Sequence, residues 1–133
     1  MTEGNLVEML LARAKSRTSP AARHKTASGW QDVSWSEVVS RVKQVSDGLV
    51  AAGVKPGDRV AIFAATSLTW VVVDLAIAAA RAVCMPIYAS NTPEEVRYIL
   101  SHSGSVLLFV DDDRPDAKQA GRLTRAREKL GEA

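Results

Sequence analysis

The sequence predicts an α/β fold: a mainly parallel sheet with flanking helices, set after an N-terminal helix and a β-hairpin. Three observations predict it. From Ser34 onward, helix patterns alternate with apolar runs, and such alternation predicts a parallel sheet with right-handed crossovers. The three runs, "RVAIFA", "VCMPIY" and "SVLLFV", are each of strand length. The chain has 133 residues, which suits one domain with a single core.

The elements follow in order. Leu6, Val7, Met9, Leu10 and Leu11 cluster at helical spacing ahead of Arg13, Lys15 and Arg17. Asn5 can cap that helix, and Ser19-Pro20 is its expected stop. It could lie on a membrane as an amphipath. Its modest charge and its acid favour packing on the domain instead. "ARHKTASGWQDVSW" reads as two extended runs around Ser28-Gly29, a hairpin signal. Ser34 and Glu37 have capping-box spacing, with the Glu37 carboxylate able to reach back. A long helix should follow, with Val38, Val42, Val45, Leu49 and Val50 facing inward. Gly53 stands where a left-handed C′ residue belongs, and Pro56 follows it.

The strand "RVAIFA" precedes a helix over residues 67–82. That helix is apolar almost all round, so burial between layers is expected. Asp74 and Arg81 are its exceptions, sharing a face but too far apart to pair. Pro86 marks "VCMPIY" as an edge strand or a bend. Thr92, Pro93 and Glu95 open another helix, with a cap, a proline at the first position and an acid at the third. It should run to about His102, with Gly104 closing it. After "SVLLFV" come Asp111, Asp112 and Asp113, then a charged helix over residues 116–130.

Composition excludes several function classes. Hydrophobic residues make up 47% of the chain, which argues for a globular rather than a disordered protein. A formal charge of +2, without a basic stripe interleaved with aromatics, gives no case for nucleic acid. The longest apolar run, residues 70–80, is interrupted by Asp74 and falls short of the ~20 residues of a membrane span. The N-terminus has acid before its apolar patch and base after it, the reverse of a secretory signal. Cys84 is the only cysteine, so no internal disulfide is expected, and a reducing compartment fits. Its apolar setting favours a core cysteine over a catalytic thiolate.

Residues 53–58, "GVKPGD", raise the question of a phosphate cradle. A phosphate loop follows a strand and opens a helix, so that helix N-terminal amides face the anion. Here the glycines close a helix and feed a strand, and Lys55 precedes Gly57, which misses the P-loop pattern. A turn is the favoured reading. After the strands, Thr66 or Ser67, and then Thr92, are adequately explained as helix caps. Asp111, Asp112 and Asp113 could hold Mg²⁺ as receiver-type domains do. The partners those domains draw from later strands have no source in this chain, so a solvated loop is favoured. His24 and His102 lie far apart with no cysteine beside them, so no metal site is expected. Trp30, Trp35 and Trp70 read as packing groups at element boundaries. No residue is assigned a catalytic, cofactor-binding or metal-binding role.

The stretches "GLVAAGVKPGDRVAIFA" and "AIAAARAVCMPIYASNTPEEVRYILSHSGSVLLFVDD", with "W-x-D-V-S-W-S-E-V" before them, carry a resemblance. From Asn5 to about Asp113 the chain resembles the start of an acyl-CoA synthetase of the adenylate-forming (AMP-binding) superfamily. Pro86-Ile87-Tyr88 is similar to the long-chain fatty-acyl branch. The chain departs from the family at residues 65–70, where Asn and Glu often precede the tryptophan, and at Arg81, where Gly is usual. The resemblance implies that residues 1–133 are an N-terminal segment of the large domain. The complete enzyme would join a fatty acid to ATP with Mg²⁺, giving an acyl-adenylate, and pass the acyl group to coenzyme A. The family's Ser/Thr/Gly-rich phosphate loop ending in Lys has no counterpart here. The fragment alone is therefore expected to be inactive and to hold no cofactor. An open sheet edge would then favour self-association. The complete enzyme is expected in the cytoplasm, with peripheral membrane contact a further implication. Two other readings stand beside it: a stand-alone flavodoxin-like or receiver-like binding module, and a truncated structural subunit.

Overall fold

The computed structural model describes residues 4–111. They form α1 (Leu6–Ser16), β1 (Ala22–Thr26), β2 (Gly29–Val33), α2 (Trp35–Ala51), β3 (Arg59–Phe63), α3 (Leu68–Ala79), β4 (Val83–Ile87), α4 (Pro93–Ser103) and β5 (Leu107–Val110). β1 and β2 pair antiparallel, while β4, β3 and β5 form a parallel sheet in that order. The α/β class, the hairpin and the parallel sheet all agree with expectation. The helix expected over residues 116–130 lies outside the described residues, as do Asp112 and Asp113.

The apolar pattern explains the layering. β3 is the central strand, and alternate side chains point to opposite faces. Val60 and Ile62 meet Leu49, Val54, Val73 and Ile77 on one face. Ala61 and Phe63 meet Ile87 and Val96 on the other, beneath α4. α3 is apolar on both sides because it is covered on both. Val73 and Ile77 face the sheet, and Val72 and Ala76 face Leu10, Val38 and Val42 of α1 and α2. Each such buried Val, Leu, Ile or Phe side chain stabilises the fold by about 1.5–3 kcal/mol. Pro86 sits in β4 at the edge of the sheet, where a missing amide leaves no ladder bond unmade.

Local chemistry sets the helix ends, and several differ from expectation. α1 stops at Ser16, before Ser19-Pro20, and its cap Asn5 forms a full capping box with Glu8. Ser34 accepts the Glu37 amide, but the Glu37 carboxylate turns forward to Arg41 instead of reaching back. An i,i+4 cation competes for the same oxygens. Val50 is 59% exposed rather than inward. It lies ~100° round the helix from buried Leu49, so both cannot face the core. α3 begins after its cap Ser67 and ends at Ala79, shorter than the expected 67–82. Thr92 and Glu95 make the expected capping box, and Gly104 ends α4 at φ 62°.

Candidate functional site

The turn at residues 53–58 is closed to an anion. α2 ends in a Schellman motif: the Gly53 amide donates to the Val50 carbonyl and the Val54 amide to the Leu49 carbonyl. Lys55, Pro56, Gly57 and Asp58 then form a type II-like turn, with the Asp58 amide donating to the Lys55 carbonyl and Gly57 at φ 87°. The Lys55 amide donates to the Asp58 carboxylate at 2.8 Å. The Gly57 amide donates to the Arg81 carbonyl at 2.9 Å. Pro56 has no amide. Every backbone amide in the stretch is thus engaged, and none is left to cradle a phosphate.

The carboxyl end of the sheet is different. In open parallel sheets ligands bind outside these strand ends. Two adjoining crevices open there. The larger, of about 550 Å³, lies between the ends of β3 and β4 and is lined by Ala64, Thr66, Trp70, Pro86, Tyr88 and Ser90 among others. The smaller, of about 80 Å³, lies between β3 and β5, with Ile62, Ser67, Trp70, Phe109 and Asp111 on its walls. Trp70 borders both. Its ring also packs against the core, so the group read only for packing divides the crevices too. Tyr88, just beyond β4, is 77% exposed. Among the described residues no lysine or arginine lines either crevice.

Several polar groups near this end are occupied. The Ser67 hydroxyl accepts the Trp70 amide at 3.1 Å, and Thr92 accepts the Glu95 amide at 3.3 Å, as capping predicts. The Asp111 carboxylate accepts the Ala65 amide at 3.2 Å, tying the end of β5 to the loop after β3. Hydrogen bonds from the Asn91 side chain and the Thr92 amide hold the Glu95 carboxyl below the usual range. Among the described residues no three metal-ligating side chains come together.

The remaining candidates are kept apart. His24 lies in β1, and His102 stacks on Tyr98 of α4 with ring centres 5.3 Å apart. Cys84 lies half-buried in β4, where burial and then the Asp74 carboxylate push its thiol up to about 12. It is not a thiolate nucleophile at neutral pH. The sequence reading missed the joint role of Trp70 and Tyr88. The signal available was their position: each follows a parallel strand closely.

Comparison with known proteins bears on this arrangement. The sequence model of the family described as AMP-binding enzyme matches residues 12–132. The long-chain-fatty-acid–CoA ligase FadD15 of Mycobacterium bovis is 42% identical over 84 residues, covering 63% of this chain and 14% of that protein. Long chain acyl-CoA synthetase 1 of Arabidopsis thaliana is 35% identical over 95 residues, covering 67% of this chain and 14% of that one. The crystal structure of the N-terminal domain of FACL13 from Mycobacterium tuberculosis superposes with a TM-score of 0.77 and 26% identity, over 92% of this chain and 29% of that one. The chain thus spans about a seventh of the length of the curated relatives it matches.

Proposed function

The chain belongs to the AMP-binding enzyme family, and on that premise we propose that residues 1–133 are the N-terminal segment of the large domain of a long-chain-type acyl-CoA synthetase. The reaction of the complete enzyme is written in balanced steps. A fatty carboxylate oxygen attacks the α-phosphorus of ATP and pyrophosphate leaves. The thiol of coenzyme A then attacks the acyl carbon, its proton passes to a base, and AMP leaves. Mg²⁺ would accompany the ATP. A carboxylate is a poor electrophile, and adenylation converts its oxygen into a leaving group.

The observation that carries this reading is the contrast between an uncharged crevice and a family that handles phosphates. Among the described residues, the crevice beside Trp70 and Tyr88 offers apolar walls and hydroxyls but no cation. It suits the uncharged part of a substrate. The triphosphate calls for donors and cations that the described residues do not present at this crevice, which supports their supply from elsewhere in the complete enzyme. On this reading the chain forms a wall of the ligand cleft, is inactive alone, and works in the cytoplasm as part of the complete enzyme. One oxygen of the Asp111 carboxylate accepts the Ala65 amide, and the Asp112 and Asp113 of the receiver-like alternative lie outside the described residues.

Pyrophosphate exchange with a fatty acid tests the reading. The 133-residue chain should show none. A chain extended along its reading frame through a Ser/Thr/Gly-rich loop ending in Lys, and on through the remaining large domain and C-terminal lysine, should show it. Exchange by the short chain, or an extension that lacks such a loop, would refute it.

A further inference from the structure

We propose that the outer face of the β1–β2 hairpin is a docking surface for an acidic protein segment that carries an apolar anchor. Residues opposed in an antiparallel pair share a face. The register Arg23↔Asp32 and Lys25↔Trp30 therefore puts these four side chains on one side of the hairpin. All four are exposed. Ala22 and Val33, opposed on the other side, pack toward Leu10 and Val38 of the helices. Trp30 reads from the sequence as a packing group, yet it is 67% exposed. A large ring left in water beside cations has the make-up of an interface anchor.

Charge identifies the partner. Residues 13–25 contain five lysines and arginines and no acid. The whole chain has 17 such cations against 15 acids, so the other residues carry a net charge of −3. The dipole of α1 accounts for Arg13 and Lys15 in its last turn. It does not account for Arg23 and Lys25 in β1. Only residues 17–21 join α1 to β1, so the helix-end cations border the hairpin. Arg23 is paired with Asp32 at 2.6 Å. Among the described residues Arg13, Lys15, Arg17 and Lys25 form no ion pair. Unpaired cations around an exposed tryptophan complement a run of carboxylates with a side chain to bury. A second copy would set the same cations against one another. A nucleic acid would meet the Asp32 carboxylate, half exposed on the same face. The inference is independent of the activity proposed above, because its test contains no ATP, fatty acid or coenzyme A.

The test is fluorescence anisotropy of a fluorescein-labelled peptide of repeated Glu-Glu-Leu units, titrated with the 133-residue chain. Binding should saturate and weaken with salt. The same peptide with serine in place of leucine should bind more weakly. Trp30→Ala should lower affinity about tenfold or more, with the melting temperature unchanged because the ring is exposed. Lys25→Glu should lower it as well, and it leaves the tryptophan in place. Asp32→Asn should raise affinity about threefold, since it releases Arg23 from its pair. No saturable binding, equal binding of the serine peptide, or undiminished binding by Trp30→Ala or Lys25→Glu would overturn the proposal. So would tighter binding of a single-stranded oligonucleotide or of phosphatidylglycerol vesicles that Trp30→Ala abolishes, which would assign the face to another class of partner.

Discussion

At the amino end of β3, the turn over residues 53–58 has all its amides engaged, and the Gly57 amide and Asp58 carbonyl stitch it to the chain entering β4. At the carboxyl end of the same strand, Ala64, Thr66 and Tyr88 border open crevices. Glycines and a lysine mark the first end, and ordinary apolar residues mark the second. The motif that looks most like a ligand loop is therefore the better built as structure. A backbone whose donors are satisfied internally contributes stability and excludes ligands. A strand end whose walls are apolar and unfilled is available to them.

Variants can break this contrast. The largest effect is expected from Phe63→Ala, which empties the floor beneath the carboxyl end. Phe63 is fully buried, and its loss should cost about 3–5 kcal/mol in chemical denaturation. Next comes the amino end. Gly53 and Gly57 lie at φ 90° and 87° with open space where a side chain would go. Alanine there meets no neighbour, so the penalty is in the backbone alone, about 1–2 kcal/mol at each site. A smaller change of opposite sign is expected at the end of α3. Its closing bonds, from Arg81 to Ala78 and from Ala82 to Ile77, repeat those that end α2 at Gly53. Arg81→Gly should raise stability by up to about 1 kcal/mol. At the carboxyl end, Tyr88→Ala should leave the melting temperature unchanged within the ~0.5 kcal/mol of a surface substitution. It should matter only when a ligand is present in the complete enzyme.

The acidic side of the pH profile gives the smallest effect. The Glu95 carboxyl is depressed in the folded state by bonds from Asn91 and Thr92. Its contribution is therefore present above the ordinary glutamate range and is lost as pH falls through the lower folded value. Melting temperature should drop on acidification below that range. Glu95→Gln, which cannot ionise, should flatten part of the drop.

Much of this was legible in the sequence because it is local. Ser34, Ser67 and Thr92 announced their helices through hydroxyls that reach an amide three residues on. Gly53 and Gly57 announced positive φ by having no Cβ. Other features depend on partners distant in the chain. The order β4-β3-β5 is a choice among pairings that three similar apolar runs do not specify. The exposure of Val50 follows from the phase at which α2 meets its neighbours. The left-handed backbone at Arg81 has no local signal, since arginine rarely adopts it and the surrounding bonds impose it. Trp70 was legible as a packing group. That it also divides two crevices depends on Phe109 and Tyr88, contributed by other strands.

The central claim is that the glycine-lysine turn is a structural joint and that ATP is gripped by residues beyond this segment. An amide NMR titration of the 133-residue chain with Mg²⁺-ATP tests it most directly. The account predicts no saturable shift at the Gly53, Lys55, Gly57 or Asp58 amides up to millimolar nucleotide. Saturable shifts centred on those amides would contradict it.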